Sequence, residues 1–172
     1  MTKIASKFAS ELVAALADAE APTNQPSDNV KDNIDRFRHA LEIVGDADDT
    51  QETRSTLPKD AADWLNEALG ELNGTRSFND AVVMAAKAAS WYQIYNDDKT
   101  SDSKESSPMR DLASGMYAAR LIGPHRGLVQ SDQVLAGLFL LRKELHYPLH
   151  QHQSTEIYFA ASGSVQIQHG IN

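Results

Sequence analysis

The residues with the most chemical potential stand close together: His150, His152, Glu156 and Tyr158, within the run from His146 to Gly163. On an extended strand, residues two apart point to the same side. His150 and His152 then point together, and so do Glu156 and Tyr158 on a following strand. The three residues between His152 and Glu156 can make the connection. Such a β-hairpin converges two imidazoles, a carboxylate and a phenol on one point. Neutral imidazole and carboxylate suit a divalent transition metal, and the mixed set does not choose among Fe, Mn, Co, Ni and Zn. Leu149, Ile157 and Phe159 would face the opposite side and pack the wall. One histidine alone is more often a surface or core residue than a ligand. A second at i+2 with a glutamate four further on raises the set above that reading. His39, His125, His146 and His169 lack this placement and are not expected to bind metal.

The elements that must position this segment divide the chain in two. Residues 3–19 repeat apolar side chains every four positions (Ile4, Phe8, Leu12, Leu16), which predicts an amphipathic helix rather than an export signal. Ser27 or Asp28 can cap a second helix carrying Val30, Ile34, Phe37, Leu41 and Val44. A third begins near Pro58, with Ala61, Trp64, Leu65, Leu69 and Leu72 on one face, and Asn73-Gly74 is expected to stop it. A fourth is expected from about Asn79 to Tyr95. These faces read as packing surface. The polar stretch 96–107 reads as an exposed linker, closed by Pro108.

Beyond the linker the pattern shortens. Residues 115–122 predict a strand and Gly123-Pro124 a turn. The apolar run 134–143 permits a buried strand or a short helix, and its glycine favours the strand. Further strands are expected at 145–150 and 156–162, with a turn at Gly163-Ser164 leading into 165–169. Close strands with tight turns suggest an antiparallel sandwich or small barrel. The expected organisation is α+β: a helical region over 1–107, including the linker, then an antiparallel β region over 108–172.

Composition narrows the function. The formal net charge of −8 with no basic stripe argues against nucleic acid and anionic membrane surfaces as partners. Without cysteine, disulfides, thiolate metal sites and a cysteine nucleophile are excluded. No run is long enough to span a bilayer, and a cytoplasmic location is the expectation.

The run His150-x-His152-x-x-x-Glu156, ending in Gly163, resembles the first metal motif of cupins, H-x-H-x-x-x-E followed by a glycine turn. Extended to Tyr147-Pro148 before it and Tyr158 after it, it is similar to the cupin dimethylsulfoniopropionate (DMSP) lyases. The upstream run Ala136-Gly137-Leu138-Phe139-Leu140-Leu141 and the preceding helices share that likeness. The resemblance covers residues 115–170 and implies a cupin, or double-stranded β-helix, barrel. It also implies β-elimination of DMSP, the small-molecule partner, to dimethyl sulfide and acrylate. His150, His152 and Glu156 would be metal ligands. Tyr158 would be the base, because a phenol beside a divalent cation ionises more readily. Tyr147 would line the substrate pocket and assist, and aromatic faces suit a sulfonium cation.

Cupins usually add a histidine from a second motif on a later strand. No such motif precedes Asn172, so the barrel is expected to be incomplete at its C-terminus and its metal centre half-built. The exposed edges of such a barrel leave a homo-oligomer open. The alternatives are another metal cupin, such as a dioxygenase or isomerase, and a non-catalytic cupin fragment or ligand-binding module.

Overall fold

The computed structural model describes residues 4–18, 27–44, 56–94, 107–147 and 155–166. Helices come first: α1 (Ile4–Asp18), α2 (Ser27–Val44), α3 (Lys59–Gly70) and α4 (Arg76–Ala88). They are followed by β1 (Trp91–Gln93), α5 (Ser107–Gly115), β2 (Met116–Gly123), β3 (Val129–Gln130) and β4 (Ala136–Leu141). The expected α+β class holds. Among the described residues the strands form one open four-stranded sheet, not a closed barrel.

α1 to α3 follow the predicted apolar spacing. Ala5, Phe8, Ala9 and Leu16 of α1 are buried, and α1 packs chiefly on α4. Pro58 is the N-cap of α3 and its carbonyl accepts from Ala62 N–H at 2.9 Å. α3 ends at Gly70, three residues before the expected Asn73-Gly74 stop. Glu71 closes it by donating its N–H to Ala68 O at 3.2 Å. Thr75 caps α4, its hydroxyl oxygen accepting from Phe78 N–H at 3.3 Å.

The expectation that the fourth helix runs to Tyr95 is corrected. α4 stops at Ala88, and Ala89 turns extended with ψ 155°. Trp91 then pairs with Ala119 as part of β1. An alanine-rich run followed by aromatics fits a 3.6-residue period as well as a strand, so spacing alone could not place the break. A hydrogen bond helps to fix it. The buried Trp91 Nε1–H donates to Ala86 O at 3.0 Å, occupying a carbonyl in the last turn of the helix.

β2 is the central strand and is buried along nearly all its length. It pairs antiparallel with β1 and β4 and parallel with β3, where Ile122 stands opposite Val129. Directly opposed residues in an antiparallel pair share a face. One face therefore carries Trp91, Tyr117, Ala119, Leu138 and Leu140, and these pack into the core shared with Phe8, Phe78, Val82 and Ala85 of the helices. The other face carries a row across three strands, Tyr92, Ala118 and Phe139, with Met116 and Leu141 beside it.

β4 lies so close to β2 that a Cβ at Gly137 would fall 2.3 Å from the Ala119 carbonyl oxygen. Glycine is required there by proximity of backbone. α5 was not anticipated. It is a nine-residue helix at the end of the expected linker, and Pro108 sits in its first turn, where a missing N–H costs nothing. The rest of that linker lies outside the described residues.

Candidate functional site

β4 presents alternate side chains to opposite sides. Ala136 and Leu140 are buried, whereas Phe139 and Leu141 are exposed. After β4 the chain turns, with Arg142 N–H donating to Gly115 O at 2.9 Å. Arg142 also bridges to Asp111 of α5 at 2.6 Å. His146 is exposed and Tyr147 is half-buried on this segment.

The chain reappears at 155–166 in no regular secondary structure, which corrects the strand expected over 156–162 and with it the regular hairpin. Of the strand expected over 145–150, residues 145–147 are likewise irregular and the rest lie outside the described residues. The turn expected at Gly163-Ser164 does form a bend, with Gly163 in the left-handed region at φ 69°. Pairing, rather than alternation, defines a strand. The alternating polar and apolar pattern from Glu156 to Phe159 is not enough to make a strand, and Glu156, Ile157 and Tyr158 are all exposed.

Tyr158 and Phe159 nevertheless make contacts with different elements. Phe159 turns inward and meets Phe78 of α4 edge-on, with ring centroids 5.3 Å apart at 68°. Asn73 N–H donates to Ala161 O at 3.3 Å, which fixes the same segment to the turn before α4. Tyr158 turns outward and stacks on Phe139 of β4, centroids 6.2 Å apart and planes at 29°. Its hydroxyl donates to the Glu156 carboxylate. Ile157, expected to pack the wall, is instead exposed, because the segment takes no strand that would turn it inward.

The structure thus brings Glu156 and Tyr158 into direct contact. His150 and His152, and the wall residue Leu149, lie outside the described residues, as does His169. Among the described residues no group of three His, Asp or Glu could hold a metal. His39 stands beside Glu42 on the surface of α2, and His125 is an exposed loop residue whose carbonyl accepts from Arg120. A cavity of about 230 Å³ opens between α1, α2 and the end of β2, but it contains none of the sequence-predicted residues.

Phe139 is the residue that the chemical reading passed over. Its signal was present in the alternation of β4, which places Phe139 on the side opposite Leu138 and Leu140.

Glu156 and Tyr158 thus stand in hydrogen-bond contact, with the Tyr158 ring against Phe139. The dimethylsulfoniopropionate lyase family model matches residues 29–171, which is most of the chain and includes all five candidate residues. The chain belongs to that family. No curated protein and no solved structure matches it. No helix among the described residues is long and apolar enough to cross a membrane.

Proposed function

We propose that this protein cleaves dimethylsulfoniopropionate to dimethyl sulfide and acrylate by β-elimination. The family match over residues 29–171 carries the reading. The contact between Tyr158 and Glu156 supplies groups suited to the chemistry.

In this reading Tyr158, as phenolate, takes a proton from the carbon next to the substrate carboxylate. The electron pair left on that carbon forms the double bond of acrylate. The carbon–sulfur bond breaks, and its electrons leave with sulfur as neutral dimethyl sulfide, so no general acid is needed. Before ionisation the Tyr158 hydroxyl donates to the Glu156 carboxylate, which orients the phenol oxygen; that proton leaves to solvent or Glu156 before the oxygen acts as the base. Tyr147 lines the substrate pocket. Phe139 and Tyr158 present ring faces of the kind that receive a sulfonium cation.

The proposed metal ligands are His150, His152 and Glu156. Glu156 is exposed and therefore reachable, and two imidazoles with a carboxylate form a donor set that divalent first-row metals accept. When bound, the metal would stabilise negative charge developing on the substrate carboxylate. We read the sheet as part of a cupin barrel, supported by the β2–β4 pair and by the site lying on the sheet face away from the helices. α1 is packed into the core, which supports reading it as part of the fold.

The test is headspace detection of dimethyl sulfide from the protein, supplied with Fe, Mn, Co, Ni or Zn in turn, and dimethylsulfoniopropionate. Release is expected with at least one metal and is lost on chelation. Tyr158→Phe should abolish release while metal binding, followed by calorimetry, persists. No release from the wild-type protein with any of the five metals would sink the proposal.

A further inference from the structure

Tyr158 belongs to an irregular segment, which by itself does not hold a ring in place. Its neighbour Phe159 is anchored in the core by Phe78. That contact fixes the backbone but leaves the outward side chain of Tyr158, 49% exposed, to find its own support. The support comes from β4. Phe139 projects from the same side of the sheet and stacks on the Tyr158 ring.

Phe139 is itself on a rigid base. It stands opposite Ala118 of the buried central strand, and the close backbone approach at Gly137, two residues earlier, locks β4 onto β2. Phe139 is also 49% exposed, so its ring face is accessible to Tyr158. A second contact completes the geometry, since the far end of the phenol donates to Glu156. The stack sets the plane of the ring and the hydrogen bond sets its in-plane direction.

We infer that Phe139 is a positioning residue, a platform that holds the Tyr158 ring in the orientation needed for proton abstraction. The inference rests on the reading of Tyr158 as the base. Phe139 does not exchange protons. It restricts the ring to one plane, and a reacting group displaced by about 1 Å can lose up to about 100-fold in rate.

The experiment compares Phe139→Ala, Phe139→Leu and Phe139→Tyr with the wild-type protein. Steady-state dimethyl sulfide release is measured on the metal-supplemented proteins. On the metal-free proteins, NMR of ring-labelled tyrosine follows the Tyr158 signal, identified by its loss in Tyr158→Phe. Ala and Leu at 139 should lower kcat about tenfold or more with KM nearly unchanged, and should move the Tyr158 ring signal as the stacked ring is removed. Phe139→Tyr, which keeps a ring, should restore kcat to within about threefold. Circular dichroism melts guard against simple unfolding. If the wild-type protein turns over and Phe139→Leu, folded, keeps its kcat, the platform role is wrong. An unmoved Tyr158 signal in Phe139→Leu overturns it equally, and does so without any assay of activity. A wild-type protein that releases no dimethyl sulfide instead sinks the lyase reading.

Discussion

Trp91 donates its indole N–H to Ala86 O at 3.0 Å, and both residues are buried. Replacing it with phenylalanine keeps most of the ring volume but leaves that carbonyl without its indole donor. A buried polar group deprived of its partner costs about 1–3 kcal/mol, so Trp91→Phe should lower the urea unfolding midpoint by that equivalent. Gly137 makes the opposite case, where an added atom does the damage. The Cβ of Gly137→Ala would meet the Ala119 carbonyl oxygen, which is backbone and cannot swing aside. Overpacking of this kind costs about 1–3 kcal/mol, and the same denaturant titration should show it. At this scale the sequence was informative about chemical type and weak about contact. His150, His152, Glu156 and Tyr158 stood out by spacing alone. Nothing in the spacing revealed that Tyr158 would donate to Glu156, or that Phe139 would lie under its ring. Those contacts depend on β4, which is distant in sequence from Tyr158 and near it only after folding.

α4 is the element on which the site segment rests. Its start is set by Thr75, and Thr75→Ala should cost about 1 kcal/mol by removing the acceptor for Phe78 N–H, whereas Thr75→Ser should be nearly neutral. Phe78 in turn supports Phe159. Phe159→Ala should destabilise by about 2 kcal/mol, less than the loss of a fully buried ring, because Phe159 is only half-buried. Chemical denaturation of the two variants checks both values. Helices with a four-residue apolar repeat, such as α1, could be read directly from the sequence. β2 was legible as a short apolar run between Gly115 and Gly123, and β4 as an apolar run interrupted by Gly137. The end of α4 was not, because the residues that stop it are good packing residues in either conformation, and the deciding hydrogen bond is made by a side chain. Residues 156–162 were read as a strand because polar and apolar residues alternate there in sequence, while the segment takes no regular secondary structure.

At the scale of the molecule, helices and sheet share one hydrophobic core. The surface ties between them are weaker. Lys143, just after β4, pairs with Glu67 of α3, and the hydrogen bond to that carboxylate raises the lysine pKa above its ordinary value, with the attraction of the two charges adding to it. A raised lysine pKa gives a contribution present below the ordinary lysine range and lost as pH climbs through the raised value. It therefore gives no slope near neutrality. The lysine is fully exposed, so Lys143→Gln should leave the melting temperature at pH 7 essentially unchanged in scanning calorimetry, and added salt should not separate variant from wild type. The indole that closes α4 has one more use. The chain contains two tryptophans, and Trp64→Phe would leave Trp91 as its single strong fluorophore, buried at the seam between helix and sheet. Its emission colour would then report, without any added dye, when that seam opens to water.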